Sequence, residues 1–296
     1  PHHPPPPPHT YTLYRSSAAS DVYKRQGYIS MAMAVAPMLG PMFGGLLDEL
    51  FGWHASFVAF IVIGLFVFGL CWVDLGETNH HRSDTFADQF STYPELLSSE
   101  RFWGYSLCMA FSTGAFYAFL AGAPLVAKTL FAMSTGTLGI YIGSITGGFF
   151  AGSFLSGRYA KRFHLTSLMI VGRVVACAGL SAGLAIFLAG YVHEVFLFGA
   201  TIFVGIGNGL TMPSSSVGAM SVRPRLAGSA AGLSGALTVA GGAIITFLTT
   251  AILNEQNGVY VLFAMMLLCS TLGLLAALSV RWLDQHDTRN RIPDSQ

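Results

Sequence analysis

Charge is what this chain has least of. Lys, Arg, Asp and Glu make up 10% of its 296 residues, against about 25% in an ordinary soluble domain. So few charges cannot cover a water-facing surface, and the solvent of most of the chain is therefore lipid. The formal net charge of +1 supplies no basic field, which argues against electrostatic binding of nucleic acid. Cysteine is also scarce. Cys71, Cys108, Cys177 and Cys269 each stand alone in an apolar run, without CxxC or ligand spacing, so they read as small buried hydrophobes. No HExxH, GxSxG or P-loop occurs. His54, His80, His81, His164, His193 and His286 fall at the ends of apolar runs or between them, not in a ligand-like cluster. The sequence offers no catalytic residue, no metal site and no resident cofactor, and it does not read as an enzyme.

What it has instead is long apolar runs. Hydrophobic residues reach 53%, with 34 glycines and 23 phenylalanines. A bilayer span takes about 20 mostly apolar residues. From Gly27 onward eight runs qualify: Gly27–Leu47, Trp53–Val73, Phe102–Ala127, Thr137–Gly157, Leu165–Gly190, Val195–Met220, Ala227–Leu253 and Val259–Trp282. Short turns join most of them. The exception is the polar connection from Asp74 to Arg101, whose "FADQFSTYPELLSS" suits a partly amphipathic interfacial helix. The expected class is an all-α polytopic membrane protein.

Residues 1–26 are different in kind. They are Pro/His-rich, then Ser-rich and basic, and they lack the apolar core of a signal peptide. The closing "DVYKRQ" resembles the translation of a transposase adaptor used in sequencing-library preparation, since GAT-GTG-TAT-AAG-AGA-CAG encodes those six residues. The expectation is a disordered, non-native leader joined to a truncated reading frame, with native sequence from near Gly27.

Basic residues orient the spans. Beyond the leader, Arg82, Arg101, Arg158, Lys161, Arg162, Arg223, Arg225, Arg281, Arg289 and Arg291 fall on one side, Lys128 falls on the other, and Arg173 lies within a span. By the positive-inside rule the long connection (75–101) and the C-terminal tail (284–296) are cytoplasmic.

The first run contains the strongest motif, "APMLGPMFGG" from Ala36 to Gly45. Pro and Gly are poor helix formers in water, by roughly 3 and 1 kcal/mol relative to Ala, but membrane neighbours tolerate both. The motif resembles the GxxxGPxxGG antiporter motif of the drug-efflux branch of the major facilitator superfamily. Gly40, Pro41, Gly44 and Gly45 match it, and Ala36 stands where that motif has Gly. "FGWHASF", "ETN" and "AFLAGAPLVA" look similar to the bicyclomycin-resistance (Bcr/CflA) subfamily. "GRYAKRF" resembles the C-half copy of that superfamily's loop motif through Gly157, Arg158 and Arg162. Lys161 replaces its Asp, so a charge-relay role is not carried over.

The resemblance implies eight of the superfamily's twelve helices. Residues 27–74 would be the last two helices of the N-terminal bundle, 75–101 the central loop and 102–283 the complete C-terminal six-helix bundle. It implies a monomeric, multi-pass carrier in the bacterial inner membrane, exporting small drug-like amphipathic molecules against inward protons. The proton is the coupling ion; its carboxylate is expected in helices one to four, with Asp48 second. Sugar or metabolite export, or a membrane scaffold or enzyme without transport, remain open from the residues alone.

Candidate cavity residues are Tyr105, Ser112, Tyr117, Tyr141, Asn208, Thr211 and Ser214. Tyr117 and Tyr141 read more readily as packing residues than as substrate contacts. Asn208, in "GIGNGLTMP", has two readings: it faces a cavity, or it bonds a neighbouring helix. Arg173 is expected to snorkel or to pair within the protein. Gly228, Gly232 and Gly235 are expected to form a glycine face at an inter-bundle seam with the motif helix.

Overall fold

The computed structural model describes residues 43–74, 93–160 and 162–290. Residues 43–51 are helical. Then come α1 (His54–Asp74), the short α2 (Tyr93–Leu97), α3 (Glu100–Phe131), α4 (Thr135–Tyr159), α5 (Leu165–Leu188), α6 (Glu194–Ser221), α7 (Ala227–Ile252) and α8 (Gly258–Asn290). A 3-10 turn, Pro224–Leu226, precedes α7. Seven helices among the described residues are long and apolar enough to cross a membrane. Most of the first expected span, with Ala36, Gly40 and Pro41, lies outside the described residues.

Local sequence sets the helix starts. The Ser99 hydroxyl accepts from the Phe102 N–H at 3.5 Å to open α3. The Ser134 hydroxyl does the same for α4 from the Thr137 N–H at 3.2 Å, each satisfying a first-turn donor. Pro124 and Pro213 lie inside α3 and α6, as membrane helices allow. One boundary differs from the sequence expectation. The last apolar run ends at Trp282, yet α8 continues to Asn290. Arg101 holds the extension, its Nη2 lying 3.3 Å from Asp284 and 2.6 Å from Asp287.

Helices α3 to α8 form one bundle. α6 packs on α5, α4 and α3, while α3 packs on α8 and α7, and α8 closes on α5. None of the residues of α1 is buried. The tightest seam joins α4 and α6. A Cβ on Gly205 would overlap the Ile145 carbonyl, and one on Gly152 would overlap the Ile206 carbonyl. Only glycine permits such backbone approach, and packing of this kind is the main attraction between helices in lipid.

The bundle interior is layered. One apolar cluster spans Ala115, Phe119, Ala176, Leu180, Val204, Phe263 and Met266; the other joins Phe102, Cys108, Met169, Ala219, Ala277 and Val280. Between them on α3, α5 and α6 fall Ser112, Arg173, Asn208 and Thr211, all buried.

Candidate functional site

The polar layer centres on Arg173, which has no exposed surface. It sits eight residues beyond the start of α5, about 12 Å along the helix. Its Nε donates to the Thr211 hydroxyl at 3.0 Å, and its Nη2 donates to the Asn208 side-chain oxygen at 2.6 Å. The Asn208 amide nitrogen in turn donates to the Ser112 carbonyl at 2.9 Å. Thr211 passes its own proton to the Gly207 carbonyl at 2.7 Å. The chain of bonds thus ties α5 to α6 and α6 to α3. Arg173 is a paired interior residue and does not snorkel to the surface. Its Nη1 has no partner among the described residues, and its two acceptors are neutral. Asn208 is an interhelical bridge of this network.

The other cavity candidates lie in three further places. Tyr117 is half-buried, with its ring over Gly242 of α7. One turn earlier, the Thr113 hydroxyl lies 3.5 Å from the Met212 sulfur of α6. Tyr141 stacks on Phe198 at 4.5 Å between ring centroids and 22° between planes, and Phe119 meets Phe198 edge-on at 6.0 Å. Tyr105 and Ser214 sit towards the end of the bundle that carries Arg101. There they line a cavity of about 260 Å³ with Ser156, Thr166 and Asp284. Ser112, Asn208 and Thr211 therefore share one site, and the remaining candidates do not join it.

The glycine motifs also separate. Gly45 sits against the start of α4, where a Cβ would come within 2.6 Å of the Thr135 carbonyl, and the Glu49 carboxylate lies over Gly136. A Cβ on Gly44 would meet nothing within 4 Å among the described residues, and the same holds for Gly228, Gly232 and Gly235. The described part of the motif helix thus meets α4 and not the α7 glycine face. Gly157 is half-buried near the end of α4, and Arg158 and Arg162 are exposed.

A charged latch went unnoticed in the sequence. Glu95 of α2 takes the Arg223 guanidinium at 3.1 Å, and Arg225 as a second partner, both from the α6–α7 turn. The Arg225 hydrogen bond, with help from Arg223 and against desolvation, holds the Glu95 carboxyl below its ordinary value. The Trp103 indole N–H donates to the Leu97 carbonyl at 2.7 Å, fastening α2 to α3 as well. Among the described residues no group of three or more His, Cys, Asp and Glu is placed to hold a metal.

The chain matches the Major Facilitator Superfamily over residues 6–246, a range that includes most of residues 1–26. It is 28% identical over 282 residues to Multidrug resistance protein D of Escherichia coli (strain K12), covering 89% of this chain and 66% of that protein. It is 29% identical over 253 residues to the MFS-type transporter YdgK of Bacillus subtilis (strain 168), covering 82% and 61%. A Bicyclomycin resistance protein homolog of Haemophilus influenzae is 25% identical over 227 residues, at 73% and 55% coverage. The chain thus spans less than two thirds of the length of each of these relatives. A crystal structure of a bacterial homolog of the human lysosomal transporter Spinster, inward-facing and unoccupied, shares the fold. Its TM-score is 0.59 at 16% identity, over 90% of this chain and 71% of that one. With the family matched over most of its length and the helical bundle in agreement, this chain belongs to the Major Facilitator Superfamily.

Proposed function

We propose that the transporter to which this chain belongs exports small amphipathic drugs across the bacterial inner membrane in exchange for protons. The observation that carries the reading is the strip on α3 formed by Thr113 and half-buried Tyr117, flanked by Met212 of α6 and Gly242 of α7. It offers a hydroxyl, a phenol ring and a thioether with no formal charge. Such a surface adapts to many apolar shapes and imposes few hydrogen-bond demands. Two of the relatives carry multidrug or bicyclomycin resistance in their names, which supports the same substrate class and the Bcr/CflA-like assignment.

Alternating access about a midplane site is the mechanism this fold supports. Binding drug on one side and protons on the other requires a titratable group that changes environment between the two states. We place that carboxylate in the part of the relatives' length that this chain does not cover. The ends bearing Arg101, Arg162 and Arg223 are read as cytoplasmic. The Gly40–Gly45 motif, with Pro41, is read as a rigid seal that limits ion leakage during alternation, and the α7 glycine face as a seam for the other bundle.

Resistance profiling tests the reading. Cells expressing the parent transporter should tolerate several unrelated amphipathic drugs, and a protonophore should abolish that tolerance. A parent that confers no drug tolerance, or one indifferent to the protonophore, contradicts it.

A further inference from the structure

Arg173 carries a charge that nothing around it balances. It is the only Lys, Arg, Asp or Glu buried among the described residues. No carboxylate among them lies within ion-pair distance of it. Thr211 and Asn208 accept its protons but bring no negative charge, and its Nη1 has no partner there at all. Hydrogen bonds to neutral acceptors stabilise a guanidinium without cancelling its field. The side chain cannot swing away from this place. Gly207 and Gly273 close on it, since a Cβ at either would come within 3.2 Å of Nη2 or 3.1 Å of Cδ. A guanidinium keeps its proton inside proteins, so the field is permanent.

The charge sits behind the strip to which the transport reading assigns drug contact. Arg173 Nε bonds Thr211, the residue before Met212. Through Asn208 its Nη2 reaches the Ser112 carbonyl, and Ser112 precedes Thr113. Thr113 and Met212 meet each other at 3.5 Å, and both are half-buried. The strip is thus separated from the guanidinium by no more than the thickness of one helix, about 10 Å. Packed protein fills that gap, and salt screens it little. At such a separation and an effective dielectric of about 20, one unit charge alters the affinity of another roughly tenfold or more.

We propose that Arg173 is a specificity-determining residue of the carrier. Its uncompensated charge biases the strip towards anionic and neutral amphipathic drugs and against cationic ones. It acts through its field, without touching the drug. The inference rests on the reading that the Thr113–Tyr117 strip binds drug, and it adds the charge class of the substrate.

Tetraphenylborate and tetraphenylphosphonium test it, because they match in size and shape and differ in the sign of their charge. Equilibrium dialysis measures the binding of each to the purified parent transporter in dodecyl maltoside, with protein-free micelles subtracted. Salt at about 0.5 M screens the exposed charges and leaves the buried one. Arg173→Met should shift the ratio of the two affinities towards the phosphonium by about tenfold or more. Arg173→Gln, whose amide can still bond Asn208, should shift it likewise. Arg173→Lys keeps the charge and should hold the parent ratio. Each ratio is taken within one preparation, so any loss of folded protein cancels. An unchanged ratio in the Met and Gln variants overturns the inference and leaves the transport reading standing. A Lys variant that shifts as they do has the same consequence. If neither ion binds the parent, the drug-binding reading falls and this inference falls with it.

Discussion

Arg173 on α5 donates to Asn208 on α6 at 2.6 Å, and both are buried in the layer between two apolar clusters. Removing one partner of a buried polar pair leaves the other desolvated and unsatisfied, which costs more than removing both. Asn208→Leu strands a guanidinium, so it should destabilise the bundle by about 3 kcal/mol or more. Arg173→Met strands only a neutral amide and should cost less. The double variant should recover part of the loss, with a coupling of at least about 1 kcal/mol. Reversible unfolding of the four proteins in mixed micelles measures it; additive effects would show that the pair is not energetically linked.

The α4–α6 seam predicts a contrast between two glycines. Gly205→Ala drives a methyl into the Ile145 carbonyl and should cost at least about 2 kcal/mol, in the range of overpacking. Gly232→Ala enters open space on α7 and should change stability by less than about 0.5 kcal/mol. Melting temperatures of the purified variants check both.

How far these features could be read from the sequence depends on their range. Apolar length locates spans well: the runs beginning at Leu165 and Ala227 open the observed α5 and α7 at those same residues. It locates the end of α8 badly, because Asp284 and Asp287 look like a polar tail until Arg101, far away in sequence, is seen to hold them. The Arg173 network has the same character. "GR" on one helix and "GNGLT" on another carry no sign of their register, and only the crossing of α5 and α6 brings Nη2 to Asn208. Spacing of four showed that Gly228 and Gly232 share a face, but not what that face meets. The seam glycines Gly148, Gly152, Gly205 and Gly209 have the same spacing, and in the fold they are pressed against a neighbouring backbone.

The Glu95 latch should open in acid. Its carboxyl titrates below the ordinary 4.5 because Arg225 and Arg223 hold the ionised form. A lowered folded-state value means that the contribution is fully present above the unfolded value. It is lost as pH falls through the folded one. Glu95 is solvent-accessible, so the effect is local release of α2 rather than global unfolding. Trp103, bonded to the Leu97 carbonyl, reports it. In a chain whose other tryptophans are replaced by Phe, Trp103 emission should shift as pH drops below about 4.5. Glu95→Gln should show the released spectrum at neutral pH and no acid transition. A transition that persists in Glu95→Gln assigns it to another group.

The central claim is that this chain is part of a carrier that exchanges drug for protons. Everted membrane vesicles containing the parent transporter test it most directly, with an imposed inside-acid pH gradient and a fluorescent proton reporter. The account predicts that adding an amphipathic drug outside the vesicles releases lumenal protons. It predicts that Tyr117→Ala reduces this release for bulky aromatic drugs while membrane abundance stays unchanged. Drug uptake into the vesicles without any proton release would contradict it.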